Sequence, residues 1–257
     1  MTTPLYALDD SPTFEWIQLK ECTSVMDFLK HRHALQPKEI TLATTEYQTA
    51  GRGQAGNSWE STKGCNILLA LLLHPTTIPA NTQFILSQIT ALSLCETLLQ
   101  HATGFTIKWP NDIYWNNKKI SGTLIENTIS GQHIDDSLIG VGLNINQQTF
   151  HSNAPNPISL RQITGEKHQR IFILSEIIHR FKHYYSTAQT GNTQHITTAY
   201  MNHLYRRNGY HLYQDANGTF TAKIEHIEPT GHLLLTQPNG HTHRYAFKEV
   251  KFLININ

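Results

Sequence analysis

The stretch NILLALLLH, residues 66–74, constrains the fold most, because its seven consecutive apolar side chains must be buried together. A run of this length is far too short to span a bilayer, which needs about 20 apolar residues. A short apolar run between polar residues is typical of a strand that is covered on both faces. The sequence therefore predicts a buried central strand. The first residues show no signal-peptide pattern, so we predict no membrane association and a cytoplasmic location.

Apolar periodicity predicts further elements around that strand. Helical spacing marks four segments: residues 23–34, residues 81–100 with Asn81 or Thr82 as the cap, residues 170–189 and residues 195–205. Strand patterns mark residues 40–43, 67–73 and 137–146, and residues 105–129 predict a hairpin around Asn116-Asn117. Residues 150–160, with two prolines and no period, predict a loop. Together they predict an α+β fold, a mixed β-sheet flanked by helices.

The sequence pattern changes after Arg206-Arg207, where short predicted strands alternate with turn signals. Asn217-Gly218 and Asn239-Gly240 are strong hairpin signals, because both dipeptides tolerate the positive φ angles of tight turns. About fifty residues of this kind predict a small barrel-like β domain packed on the main one. We therefore predict two domains, residues 1–205 and residues 206–257.

Composition narrows the classes of function. A formal net charge of +1 over 257 residues provides no strong field for nucleic acid. The three cysteines are an odd number without metal spacing, which indicates a reducing compartment. Among the 16 histidines, the pairs His31/His33, His241/His243 and His179/His183 could each share a face, but no nearby cysteine or carboxylate cluster joins them. We therefore predict solvated or partly buried histidines and not metal ligands.

The segment GRGQAG, residues 51–56, has the spacing G-x-G-x-x-G of a dinucleotide site. That motif works only between a buried strand and a helix whose N-terminus holds the pyrophosphate. Here polar residues 44–49 precede the glycines, and no helical period follows them. We interpret the segment as an irregular loop whose exposed amides and Arg52 suit an anion. A merely flexible surface loop remains the alternative.

A second candidate segment is KWPNDIYWNNKKISG, residues 108–122. Strand alternation places Lys119 on one face with Ser121 and Thr123, and Ile120 and Leu124 on the other. Lys119 could therefore face a pocket, although a surface charge is the ordinary role of a hairpin lysine. Joining two anions requires fixed cations or a metal, since like charges about 4 Å apart repel by roughly 4 kcal/mol at an effective dielectric near 20. Arg52, Lys119 and the Asn111-Asp112 turn form a plausible set for such chemistry, of which carboxylate activation by ATP is an example.

Three segments, EYQTAGRGQAGNSW, IKWPNDIYWNNKKISGTLIE and GVGLNIN, resemble in order and interval the conserved segments of biotin–protein ligases. The resemblance covers nearly the whole chain. It implies a catalytic fold like that of class II aminoacyl-tRNA synthetases and a small C-terminal SH3-like β-barrel. It also implies an enzyme that activates biotin with ATP and Mg²⁺ to biotinyl-5′-AMP and transfers the biotinyl group to a lysine of a biotin carboxyl-carrier domain.

The resemblance also assigns site residues. Lys119 and Arg52 match the catalytic cations. Biotin is expected to contact Thr23, Ser24, Gln48, Gly51, Arg52, Gly53, Lys119 and Gly122. ATP or the adenylate is expected to contact Arg52, Trp59, Asn111, Asp112, Lys119 and Asn144, with Asp112 as the Mg²⁺ residue. The sequence departs from the family at Cys22-Thr23-Ser24, where a Ser-Thr-Asn segment holds the ureido ring.

The resemblance implies a carboxyl-carrier protein or domain as partner, and a monomer or homodimer. Too few residues precede Cys22 for a helix-turn-helix domain, so we predict no DNA binding. Two other classes stay open. A lipoate or octanoate ligase or transferase would need a wholly apolar acyl slot, whereas Thr23, Ser24 and Gln48 predict polar contacts. A non-catalytic binding module would have no need for both Arg52 and Lys119.

Overall fold

A computed structural model describes residues 13–32, 38–53, 56–152 and 156–254. Its larger sheet has seven strands in the order β1-β2-β3-β7-β6-β5-β4. The strands are β1 (Phe14–Leu19), β2 (Ile40–Thr45), β3 (Ile67–Leu73), β4 (Phe105–Lys108), β5 (Asp112–Trp115), β6 (Lys118–Ser130) and β7 (His133–Leu143). The β1–β2 pair is parallel and the other pairs are antiparallel, so the sheet is mixed, as predicted.

Helices cover both faces of this sheet. They are α1 (Val25–Lys30), α2 (Phe84–Leu99), α3 (Leu160–Thr164), α4 (Arg170–Gln189) and α5 (Gln194–Asn202). The predicted central strand is confirmed: β3 lies between β2 and β7, and its side chains alternate between two cores. Leu69 and Leu71 enter the large core with α2 and α4, whereas Ala70 enters a smaller core beneath α1. This double coverage explains the unbroken apolar run.

Helix α2 runs through the middle of the large core, with 13 of its residues buried. The predicted start was wrong by a few positions. Ala80–Thr82 form a 3₁₀ turn, and α2 begins at Phe84 after Gln83, whose side chain makes no capping hydrogen bond. Burial on all sides therefore stabilises this helix more than a cap does.

Other sequence predictions were incomplete. Helix α1 ends at Lys30, and the predicted extension beyond Arg32 to Ala34 lies outside the described residues. The Asn116-Asn117 hairpin is confirmed, but residues 105–129 hold three strands, because a second tight turn at Trp109-Pro110 joins β4 to β5. Strand β1 and helix α3 were not predicted, and α5 ends at Asn202 and not at Tyr205.

The short helix α3 depends on its N-terminal cap. Ser159 is fully buried, and its hydroxyl accepts a hydrogen bond from the Gln162 backbone while the Gln162 side chain accepts one from the Ser159 backbone. We expect Ser159→Ala to lower the free energy of unfolding by about 1 kcal/mol, because it removes one half of this capping box. Thermal or urea unfolding measures the change. Gln169→Ala is the matched control, since Gln169 precedes α4 without a capping bond; an equal loss in both variants would contradict the assignment.

The C-terminal residues form a five-stranded sheet in the order β11-β10-β9-β8-β12. The strands are β8 (His211–Asp215), β9 (Gly218–Ile227), β10 (Leu233–Thr236), β11 (Thr242–Tyr245) and β12 (Lys251–Phe252). Both predicted hairpins are confirmed, with Gly218 and Gly240 at positive φ. The Trp109 indole donates to the Gly231 carbonyl at 3.0 Å, and its ring contacts Phe247. Apolar residues of the two sheets form one continuous core.

Candidate active site

A cavity of about 720 Å³ opens on the α1 side of the larger sheet. Its floor is formed by β6 and β7, and its walls by the start of α1, the glycine loop, and the segment that follows β7. The lining includes eight predicted site residues: Ser24, Gln48, Arg52, Gly53, Trp59, Asp112, Lys119 and Gly122. The fold thus brings together chain segments that are far apart in sequence.

Lys119 lines this cavity, but its predicted neighbours on the strand were wrong. Strands β5 and β6 pair Ile113 with Ser121 and Tyr114 with Lys119, so Ile120 is an extra residue in a β-bulge. The bulge reverses the alternation. Lys119 therefore shares a face with Gly122, and a methyl group placed on Gly122 would lie 3.2 Å from the lysine Nζ.

The backbone of Lys119 is also hydrogen-bonded along the edge of β6 that faces away from β5. Its N–H donates to the Asn156 carbonyl at 2.8 Å, and its carbonyl accepts from the Ile158 N–H at 3.0 Å. Its Nζ donates to Oδ2 of Asp112 at 2.7 Å, while Oδ1 of Asp112 is buried without a partner among the described residues. The Lys119 ammonium is therefore held in place beside a carboxylate with one hydrogen-bonded oxygen and one oxygen without a partner among the described residues.

Arg52 supplies the second cation from the glycine loop. In this structure its Nη2 lies 2.7 Å from the Asp27 carboxylate and 3.5 Å from that of Glu126, and its side chain is 38% exposed. An exposed pair of this kind contributes little stability. The guanidinium can therefore exchange these carboxylates for an anionic ligand at small cost.

Gln48 and Ser24 form a polar corner of the cavity. The Gln48 Oε1 accepts from the Val25 N–H at 2.8 Å, and the Ser24 hydroxyl caps α1 by accepting from the Asp27 N–H. Both side chains line the cavity, as predicted, whereas Thr23 is exposed and lies outside the lining. Burial raises the pKa of the Cys22 thiol, which therefore stays neutral near pH 7.

Trp59 lies directly on the glycine floor. Gly122 and Gly142 are paired across β6 and β7, and a methyl group on either would overlap the indole ring. The indole Nε1 is buried and has no partner among the described residues. Met26 covers Gly140 in the same way. Neither these two glycines of β7 nor Met26 was predicted as a site residue.

Besides Thr23, three predicted residues lie outside the lining of this cavity. Gly51 adjoins the cavity, where a methyl group would lie 2.8 Å from the Trp59 carbonyl. Asn111 lines a neighbouring cavity of about 490 Å³ between the two sheets, and its Nδ2 donates to the Ser87 hydroxyl at 3.2 Å. Asn144 is buried and donates to the Ile158 carbonyl at 3.2 Å. Neither asparagine lines the larger cavity.

Lys108 adds a third positive charge near Asp112, its partner across β4 and β5. Its Nζ lies 5.5 Å from the ring centroid of Tyr114 and 5.0 Å from that of Phe252. Burial lowers the pKa of Lys108, and the charge of Asp112 partly opposes this effect. The lysine links the two sheets behind the cavity.

These features define a class of protein: an α+β protein whose larger sheet carries a cavity lined by two cations, Arg52 and Lys119. Residues 19–144 match the model of the biotin/lipoate A/B protein ligase family. This match, over nearly half of the chain, confirms the resemblance found in the sequence.

Individual relatives agree with this assignment. The chain is 32% identical over 209 residues to a bifunctional ligase/repressor BirA from Bacillus spizizenii, with 79% of this chain and 63% of that protein covered. It is 27% identical over 200 residues to a biotin–[acetyl-CoA-carboxylase] ligase from Paracoccus denitrificans, covering 75% of this chain and 82% of that one. The chain thus spans less than two thirds of the length of the Bacillus relative.

Solved structures share the whole fold. A biotin protein ligase from Aquifex aeolicus in complex with biotin and ATP superimposes with a TM-score of 0.77 at 25% identity. The match covers 93% of this chain and 99% of that one, so it includes the C-terminal sheet. Within the part of the chain that the structure describes, no helix is both long and apolar enough to cross a membrane.

Proposed function

We propose that this chain is an ATP-dependent ligase that activates biotin as biotinyl-5′-AMP and transfers the biotinyl group to a lysine of a biotin carboxyl-carrier domain. The observation that carries the proposal is the entry of Lys119 and Arg52 into one glycine-floored cavity. The similarity to biotin protein ligases supports it. The biotin contacts proposed here are Ser24, Gln48, Arg52, Gly53, Lys119 and Gly122, and Trp59 is proposed to contact the adenylate. Thr23 and Gly51 remain predictions.

In the first step a carboxylate oxygen of biotin attacks the α-phosphorus of ATP. The new bond is the acyl–phosphate bond, and the bond to the bridging oxygen breaks, so pyrophosphate leaves. Both reactants are anions, and negative charge accumulates on the phosphoryl oxygens. The Lys119 ammonium is already fixed at the sheet, and we expect it to stabilise that charge. Arg52 reaches the same anions after leaving Asp27.

Asp112 fits the role predicted for it with Mg²⁺. Its Oδ1 is buried and has no partner among the described residues, and carboxylate and phosphate oxygens are the usual ligands of this ion. When bound, the ion would neutralise phosphate charge. Asp112 itself orients the Lys119 ammonium through Oδ2.

In the second step the amine of the acceptor lysine attacks the carbonyl carbon of the mixed anhydride. A carbon–nitrogen bond forms, AMP leaves, and the amine loses a proton. The cavity walls exclude water that would otherwise hydrolyse the anhydride. The absence of DNA binding, the cytoplasmic location, the monomer or homodimer, and the adenylate contacts of Asn111 and Asn144 remain predictions.

The proposed function is tested by acid-dependent exchange of labelled pyrophosphate into ATP. We expect exchange with biotin and none with lipoate or octanoate, because the polar corner of Ser24 and Gln48 disfavours a plain acyl chain. Exchange with lipoate or octanoate in place of biotin would show that the protein is a lipoate or octanoate ligase. If none of the three acids supports exchange, the proposed activity is wrong and the non-catalytic binding module becomes the favoured interpretation.

A further inference from the structure

The segment that follows β7 borders the mouth of the cavity. His151 and Ser152 line the cavity although both residues are exposed. Their position is fixed by hydrogen bonds to a single distant side chain, that of Glu60. Glu60 directly follows Trp59, so one loop carries both the indole that covers the floor and the carboxylate that holds the rim.

The Glu60 carboxylate accepts three donors. The His151 N–H lies 3.0 Å from both carboxylate oxygens, the Ser152 N–H lies 2.6 Å from Oε2, and the Gln147 Nε2 lies 3.0 Å from Oε1. Hydrogen bonds to an ionised acceptor are about twice as strong as those between neutral groups. Burial raises the pKa of Glu60, but hydrogen bonds from the His151 N–H and from the Ser152 hydroxyl and N–H outweigh it and hold the pKa below its usual value.

Gln147 joins this contact to a buried hydrogen-bond network. Its Oε1 accepts from the Thr62 N–H at 2.9 Å and from the Asn66 Nδ2 at 2.7 Å, and the Asn66 Oδ1 accepts from the Ile145 N–H at 3.0 Å. Asn66 and Gln147 are each only 2% exposed. A buried network of this kind, with its members bonded to one another, fixes a geometry. This network therefore has a fixed geometry, and Glu60 is its outermost residue.

We propose that Glu60 is a positioning residue that fastens residues 147–152 across the cavity mouth, so that this segment and Trp59 enclose a bound adenylate together. The naming of the adenylate rests on the proposed function. The contact itself does not, since it joins two segments of the chain directly. Glu60 acts through His151 and Ser152 and touches no reacting atom.

Amide hydrogen exchange over residues 147–152 tests the contact directly. We expect the His151 and Ser152 amides to exchange about tenfold faster or more in Glu60→Ala, because both lose a charged acceptor. Glu60→Gln keeps one acceptor oxygen and should show a smaller increase. Glu21→Ala is the matched control, since Glu21 forms an exposed pair with Lys63 and does not line the cavity. Equal exchange of the two amides in wild type and Glu60→Ala would overturn the proposal.

Kinetics test the consequence for the ligand. In Glu60→Ala we expect a raised KM for ATP and roughly tenfold faster release of the bound adenylate, with kcat for pyrophosphate exchange little changed. A fall in kcat at unchanged KM would contradict a positioning role. If wild-type protein shows no biotin-dependent exchange, the proposed function fails, and the amide measurement alone then decides the role of Glu60.

Discussion

Replacement of Lys119 by alanine should reduce biotin-dependent pyrophosphate exchange by about 10²–10³-fold, the loss found when a preorganised charge donor is removed from a transition state. The Lys119 Nζ lies 2.7 Å from Asp112 inside the cavity, so no other side chain of β6 can take its place. Exchange of labelled pyrophosphate into ATP at saturating substrates measures the effect.

Lys118→Ala is the control for this variant, because Lys118 is the preceding residue of β6 and is exposed. Its exchange rate should equal that of wild type. Thermal unfolding of both variants shows whether the fold persists when Asp112 loses its partner. Undiminished exchange in folded Lys119→Ala would remove this lysine from the mechanism and leave Arg52 and Lys108 as the cations to be tested.

Replacement of Gly142 by alanine should weaken biotin binding roughly 10- to 100-fold, the equivalent of the 1–3 kcal/mol typical of overpacking. The added methyl group would occupy the floor where Trp59 now lies, and it would reduce the space that a ligand needs. Because the φ of Gly142 is outside the left-handed region, the backbone itself accepts alanine. Titration calorimetry with biotin measures the loss.

Leu143→Val is the matched control, since Leu143 is the next residue of β7, fully buried in the large core on the opposite face. It should lower the free energy of unfolding by about 1 kcal/mol and leave biotin affinity unchanged. Loss of affinity in the control as well would mean that β7 transmits damage from either face, and the steric explanation for Gly142 would be wrong.

The sequence predicted those parts of the fold that depend on local patterns. The run 67–73 identified the central strand, and α4 was predicted with its observed bounds because its apolar period is regular. Strand β1 was not predicted, because the segment FEWIQL becomes a strand only by parallel pairing with β2. Lys119 was correctly placed at a cavity although the alternation was wrong, because a bulge is a property of two strands and not of one.

Local patterns supplied Arg52, Lys119 and Asp112, and the resemblance supplied the other five predicted residues that line the cavity. Eight predicted side chains line the cavity, but Asn111 faces the adjoining one although it is next to Asp112 in the chain. The contact of Glu60 with Gln147 joins residues 87 positions apart, and neither residue belongs to a recognisable motif. Such contacts follow from the packing of the whole sheet, which no local pattern encodes.

The backbone pairing of Lys119 with Asn156 and Ile158 has a thermodynamic consequence for the two cations. Lys119 stands on a strand bonded along both edges, so the chain lost most of the conformational freedom of its backbone there when it folded. Arg52 stands on a loop where an isolated bridge to Ser58 is its backbone pairing, so it has more of that freedom left to lose when a ligand arrives. Affinity for the anionic ligand should therefore carry a larger entropic penalty from the arginine side, and warming should weaken the Arg52 contact before it affects the lysine.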